Sequence, residues 1–209
     1  MKALILSLAI LVMSGCSVFG ESGVEIAPYN VIAEAQDVKI EVRTYESMIL
    51  VSAPMEGDSR NSSFGMLFDY ISGANVGSDK IAMTAPVFMD QDDKGQKIEM
   101  TAPVLMDDEG VSKVMSFVMP ADFTLESTPK PTNPNVTVSE IKDYTVAALV
   151  FNGRLSNANI AKHRDILEQW IIDNGYVVTG DVKSAGYNAP FTLPQLRRNE
   201  VLIPIEKKQ

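Results

Sequence analysis

Apolar and polar residues alternate along several short stretches of the chain. Between residues 38 and 45, Val38, Ile40 and Val42 oppose Lys39, Glu41 and Arg43, and a second strand-like run, 48–53, follows after a short turn. Period-two alternation of this kind predicts half-buried strands. The period then changes. Phe64, Leu67, Phe68 and Ile71 recur at the i, i+3, i+4, i+7 spacing of an amphipathic helix over 61–72, with Asn61 and Ser62 placed to cap its start and Gly73 its end. The same order returns later. Val-rich strands are predicted at 136–141 and 144–151, followed by a helix from about 156 to 173. That helix carries Ile160, Leu167, Trp170 and Ile171 on one face and ends at Asn174-Gly175; strands at 177–182 and 201–206 complete the chain. Two strands, a helix and further strands, twice over, predict an α+β fold. It is an antiparallel sheet carrying two helices, a pseudo-twofold duplication of a ββαββ-like unit.

A sharper repeat lies inside the first half. Residues 80–90 read KIAMTAPVFMD and residues 97–107 read KIEMTAPVLMD, nine of eleven positions identical. Ile81, Met83 and Ala85 fall on one face of the first copy, and Ile98, Met100 and Ala102 on one face of the second. Asp92-Asp93-Lys94-Gly95 supplies the turn between them, and a strand over 113–119 follows. Pro86 and Pro103 cannot donate to a ladder, so each marks an edge, a bulge or a strand end. The pattern predicts a meander whose inner face is lined with methionine.

Composition narrows the chemistry. The 209 residues include 18 Lys+Arg against 27 Asp+Glu, a net charge of −9, with no Lys/Arg-rich run. A nucleic-acid partner needs a basic footprint, so none is expected. One cysteine and one histidine exclude an internal disulfide, Cys/His zinc centres and a bis-His metal site. Gly-x-Ser-x-Gly, a phosphate loop, CxxCH and a dinucleotide fingerprint are all missing from the sequence. Without a catalytic set, the chain is not expected to be an enzyme. Asp90, Asp92 and Asp93 imitate a calcium loop, but Lys94 and Thr101 occupy ligand positions, so this reads as a solvated acidic turn.

The N-terminus reads as an address. Lys2 precedes an apolar run, 3–13, and then Ser14-Gly15-Cys16; this is the layout of a secretory signal, too short to span a bilayer. Val12-Met13-Ser14-Gly15-Cys16 resembles a bacterial lipobox, which implies cleavage before Cys16 and its lipidation (acylation, as by palmitate). The expected divisions are a signal peptide over 1–15, a lipidated N-terminus and tether or docked arm over 16–36, and the domain proper over 37–209. Ser17 after the cysteine implies sorting to the outer membrane, facing the periplasm, if the cell has one.

Several residues invite functional roles. His163 lies between Trp170 and Leu167 on the helical wheel, where it packs through a hydrogen bond, ligates iron or acts as a base. The eleven methionines either fill the core or present a polarizable surface to a flat apolar ligand. Arg197-Arg198-Asn199-Glu200 reads as a lock: an arginine pairs with an acidic residue beneath the last strand, and Asn199 caps a turn.

Taken in order, Phe64…Tyr70-Ile71-Ser72-Gly73-Ala74-Asn75, the MTAPV run from Met83, Val118-Met119-Pro120, Phe151-Asn152-Gly153, Tyr187-Asn188-Ala189-Pro190-Phe191 and Arg197–Val201 resemble the SOUL haem-binding proteins. The resemblance spans residues 38–206. It implies a distorted, barrel-like antiparallel sheet with two helices and non-covalent binding of haem or another tetrapyrrole between the first helix and a late loop. Carried over by position, the ligand-binding residues are Phe64, Met66, Phe68 and Phe191. The family's basic places fall here on Asn61, Asp69 and Thr192, none cationic, which leaves Arg60, Arg197 or Arg198 to meet propionates. His163 is the one histidine available as an axial ligand, and no structural metal is expected.

The function so implied is a membrane-anchored, non-catalytic binder or carrier of haem or a related tetrapyrrole. Two alternatives stand beside it. One is a module for another apolar small molecule, cationic in keeping with the acidic balance, since the fold also resembles gyrase-inhibitor-like effector-binding domains. The other is an envelope interaction or scaffold lipoprotein.

Overall fold

In a computed structural model, the described residues are 24–36, 38–55, 60–76, 97–107, 113–189 and 191–208. The signal, Cys16 and the first copy of the eleven-residue repeat lie outside them.

The strands are β1 (Glu25–Ile26), β2 (Asn30–Glu34), β3 (Ile40–Pro54), β4 (Asn75–Val76), β5 (Thr101–Ala102), β6 (Val104–Asp107), β7 (Val114–Val118), β8 (Lys130–Pro131), β9 (Thr137–Phe151), β10 (Tyr176–Val178), β11 (Lys183–Gly186) and β12 (Asn199–Lys207). Helix α1 (Arg60–Ile71) lies between β3 and β4, and α2 (Asn157–Asp173) between β9 and β10. Six strands close a ring in the order β3–β7–β6–β11–β12–β9 and back to β3, every pairing antiparallel. Each half of the chain supplies a long strand, a helix and a hairpin, and the halves meet at β3–β9 and β6–β11. Among the described residues, the α+β architecture, its two helices and its internal duplication are those expected from the pattern, and the closed barrel is the one the resemblance implies.

Closure changes which face is the inside. The polar positions of 38–45 carry Arg43, and Arg43 is completely buried; the side that reads as solvent-facing in an open sheet points into the barrel. Tyr45, Met48, Leu50, Val146, Ala148 and Leu202 belong to the same central cluster.

The predicted pairs of strands, 38–45 with 48–53 and 136–141 with 144–151, are each one continuous strand. What the pattern registers as a turn is a local reversal of faces. Ile40 and Val42 pack toward α2, whereas Ile49, Val51 and Ala53 pack toward α1. The partner strand reverses at the same place: Ala147 and Leu149 face α2 and Val138 faces α1. Tyr45 pairs with Tyr144 and Ser47 with Lys142, so the switch falls at Glu46 and Asp143. Asp143 has φ 50°, a left-handed conformation that aspartate tolerates better than most residues. This joint reversal lets one sheet receive a helix on each of two outer surfaces.

Helix α1 starts at Arg60, so Asn61 and Ser62 lie in its first turn and do not cap it. Its buried face is Ser63, Leu67, Tyr70 and Ile71, rotated from the predicted stripe, and Phe68 stands outside at 48% exposure. Two hydrogen bonds set this rotation: Ser63 Oγ donates to the Pro54 carbonyl (2.7 Å) and Tyr70 OH to that of Pro129 (2.7 Å). Helix α2 follows expectation, with Ser156 as N-cap and Asn174 as C-cap. Of the strand predicted over 177–182, only 177–178 is strand, in β10; residues 179–182 form no strand, and β11 begins just after them at Lys183, both strands laid along β12. Pro103 separates β5 from β6, as a residue without an N–H should. Residues 24–34 are docked on the sheet: β1 runs parallel to β5 and β2 antiparallel to β3.

Candidate functional site

A cleft of about 260 Å³ opens between α1 and the loop joining β11 to β12. Its apolar walls include Phe64, Met100, Val104 and Phe191, with Thr101, Tyr187, Asn188 and Thr192 as polar members. The barrel seam forms its base, where Val104 of β6 sits opposite Gly186 of β11.

Each wall is fixed from beneath. Phe64 meets Phe117 of β7 edge-on, ring centroids 5.3 Å apart. The stretch carrying Met100 and Thr101 is clamped by β1, whose Glu25 pairs with Thr101, and by a hydrogen bond from the Ala27 amide to the Ala102 carbonyl (3.0 Å). The late loop is held by the Arg-Arg-Asn-Glu run. Arg197 Nε donates to the Thr192 carbonyl (2.8 Å), and the Arg198 amide to Asn188 Oδ1 (2.7 Å). Asn199 Nδ2 reaches the carbonyl of Gly153, whose φ of 111° only glycine adopts readily.

The same run anchors a buried charge network behind the cleft. Arg43 grips Glu200 through both terminal nitrogens (2.7 and 3.1 Å), with both side chains fully buried, and Arg198 Nη2 adds a third contact at 2.6 Å. Tyr187 OH donates to Glu200 Oε2 (2.7 Å), while the Arg198 guanidinium lies 4.2 Å from the Tyr187 ring centroid. Burial by itself would raise the Glu200 carboxyl, but the hydrogen bonds and charge of Arg43, helped by Arg198 and Tyr187, hold it below the ordinary carboxylate value. Burial, reinforced by Glu200, pushes the Tyr187 phenol up. The network therefore keeps its charge behind the cleft and presents a neutral phenol to it. The lock expected from Arg197–Glu200 is present, and the arginine's partner is Glu200 of the same run, with Arg43 as the cation opposite.

Of the ligand-binding residues expected from sequence, the cleft brings together Phe64 and Phe191, the latter 65% exposed at the rim. Phe68 stacks on Phe64, centroids 6.2 Å apart, without lining the cleft. Met66 packs against the core under α1. Arg60 turns away, donating to the Leu155 carbonyl (3.1 Å) and to Asn157 Oδ1 (2.9 Å), where it ties α1 to the start of α2. His163 is on α2, stacked on Phe151 at 4.1 Å with Nδ1 donating to the Asn159 carbonyl (2.7 Å). That is the geometry of a packing histidine. Thr192, one of the family's basic places, is in the wall; Asn61 and Asp69 are exposed on α1. Cys16 lies outside the described residues. Sequence reasoning missed Thr101 and Tyr187 as lining residues, and left Met100 between core and ligand roles. The repetition of Met-Thr-Ala-Pro-Val was the available signal for the first and last of these.

Among the described residues the lining contains no charged side chain and no histidine or cysteine, and no group of three or more His, Cys, Asp or Glu is placed to hold a metal ion. No described helix is long and apolar enough to cross a membrane.

Residues 24–94 and 88–204, two overlapping stretches, match the family model described as SOUL heme-binding protein. The chain belongs to the SOUL haem-binding family. No curated protein matches it in sequence. Among solved structures, this SOUL domain is similar to the C-terminal domain of EcmrR (17% identity, TM-score 0.50, covering 82% of this chain and 99% of that one). It is also similar to EcmrR in an EcmrR–DNA complex (15%, TM-score 0.54, 81% and 57%) and to a hydrolase from Listeria innocua (13%, TM-score 0.51, 82% and 94%). At these identities the likeness is one of fold.

Proposed function

We propose that this SOUL domain is a lipid-anchored, non-catalytic binder or carrier of haem or a related tetrapyrrole, held at the cleft between α1 and the β11–β12 loop. The observation that carries the reading is the neutral, aromatic-walled character of that cleft in a chain of a haem-binding family. Pockets that enclose a drug-sized ligand run to about 300–1,000 Å³, so a cleft of about 260 Å³ takes the edge of a macrocycle and leaves the rest at the surface. That suits its chemistry. Phe64, Phe191 and Met100 offer rings and a polarizable sulfur to the apolar edge. Propionates left in water need no buried cation, and the described lining provides none. The guest is cargo: the described walls offer the iron no imidazole or thiolate.

Titrating the detergent-solubilised protein with haemin tests this. A saturable Soret shift at one equivalent is expected. F191A removes an exposed ring and should weaken binding about fivefold, near the 0.5–1.5 kcal/mol an aromatic contact contributes beyond its area. No shift at tens of micromolar haemin overturns the reading.

A second reading rests on the same uncharged lining together with the acidic balance of the chain: an apolar organic cation as guest. A planar dye cation that displaces haemin competitively, and binds more tightly, decides for it.

A further inference from the structure

Three large apolar side chains stand in the open on the loop joining β11 to β12: Phe191 at 65% exposure, Leu193 at 48% and Leu196 at 40%. Thr192, between the first two, is buried, so the loop turns its polar residue inward and its apolar ones out. A 3₁₀ turn over Pro194–Leu196 follows Leu193, and residues three apart eclipse in that geometry, so Leu193 and Leu196 project from one side. The lip so formed is tied down: the Pro194 carbonyl accepts from the Gly153 amide (2.8 Å), and that of Thr192 from Arg197 Nε (2.8 Å). Residues 187–196 carry no charged side chain, in a chain of net charge −9. Clustered apolar exposure of this kind marks a surface that meets a protein or a membrane.

The path of the chain indicates which. Val24 lines the same cleft, and Cys16 lies eight positions before it. Building on the proposed acylation at Cys16, we infer that Phe191, Leu193 and Leu196 seat in the headgroup–acyl boundary of the bilayer that holds the anchor, so that the cleft opens at the membrane surface. The anchor makes this a contact within one assembly. A short flexible tether gives an effective concentration in the millimolar range, so a lip too weak to hold lipid alone suffices once the acyl chains are in place. A second copy of the chain fits less well, since three part-exposed side chains fall far short of the about 800 Å² per partner of a standard protein interface. Charge sets the lipid. An acidic chain is repelled by an anionic surface, and residues 187–196 have no cation to offer it, so the contact is apolar and belongs on zwitterionic lipid. Only the lip is buried, and the hydrated headgroup layer at the mouth accommodates both the ring and the propionates of a haem-like guest.

Acylation occupies the thiol of Cys16, the one cysteine of the chain, so a cysteine introduced elsewhere can be labelled selectively. The full acylated chain is prepared as L193C and as E206C, an exposed position near the far end of β12, each carrying the same fluorophore. Both are reconstituted into phosphatidylcholine vesicles containing a spin-labelled lipid as quencher. The label at 193 should be quenched several-fold more than the label at 206, and salt at about 1 M, which shortens the Debye length to about 3 Å, should leave the difference in place. Adding L196S to the L193C chain should lower the quenching at 193, because the lip and not the dye carries the contact. Equal quenching at the two positions, or quenching at 193 that L196S does not touch, overturns the docking. If C16A also sediments as a dimer that L193S/L196S dissociates, the lip belongs to a second copy. A chain whose mass shows no acyl group on Cys16 overturns the anchor and the docking together. The cleft is tested apart from these: L193S/L196S lies outside its lining and should leave the haemin titration in detergent unchanged, so failure of the native protein to bind haemin strikes the tetrapyrrole reading alone.

Discussion

Arg43 and Glu200 are the residues on which the barrel interior most depends. Both are fully buried, and Arg43 is further engaged by Glu41 (2.7 Å) and by the ring of Tyr29, 4.4 Å from its guanidinium carbon. Removing one member of a buried pair strands the other, typically at about 3–5 kcal/mol, whereas replacing both by apolar groups is far milder. E200Q should therefore lower the urea midpoint sharply at neutral pH, and the double variant R43M/E200M should recover part of the loss. The pH dependence has a definite sign. Glu200 titrates lower in the folded chain than in the unfolded one, so the unfolded chain takes up its proton first. Its contribution is complete above the unfolded glutamate value of about 4.3 and drains away as pH falls through the folded value. Denaturation curves should show stability flat near neutrality and falling below about pH 4, with that acid component reduced in E200Q. A native protein whose stability rises on acidification would contradict this. Glu200 was legible as part of a lock; its partner Arg43 was not, since an alternating pattern cannot say which face a closed sheet turns inward.

At the level of elements, sequence pattern located both helices and the repeated order of strands, because amphipathic periodicity is local. What it could not show was continuity through Glu46 and Asp143. There the apolar parity changes, and a parity change reads equally as a turn or as a strand turning over. Long-range pairing decides: β3 and β9 stay in register across the break, Ser47 opposite Lys142 and Met48 opposite Ile141. The rotation of α1 escaped for a related reason. Ser63 and Tyr70 look polar in sequence, but Pro54 and Pro129 supply carbonyls that bring them inward, displacing Phe68 to the surface. Asp143 gives a test of the reversal. D143G, free to adopt positive φ, should leave stability nearly unchanged, whereas D143I should cost about 1–2 kcal/mol, the penalty of a left-handed conformation for a side chain with no local hydrogen bond. Equal stability of the two variants in urea would mean that the reversal does not need this conformation.

For the molecule as a whole, the proposed acylation at Cys16 and the cleft are geometrically linked. Val24 lines the cleft and β1 begins beside it, so the chain enters the domain at the mouth of the site. Val24 lies eight positions after Cys16, and an extended chain covers at most about 3.6 Å per residue, so the tether is no longer than about 29 Å. Acyl chains contribute about 0.8 kcal/mol per buried methylene, enough in combination for durable anchoring. A domain held that way keeps its cleft within a tether's length of the bilayer, where apolar guests concentrate. C16A should move the protein from the membrane pellet to the soluble fraction while haemin affinity, read by the same Soret titration, stays within about twofold, since Cys16 is not among the residues proposed to hold the guest. Retention of C16A in the pellet would remove the lipid anchor from the proposal and leave the cleft standing; a large loss of affinity would mean that the segment before Val24 takes part in the site.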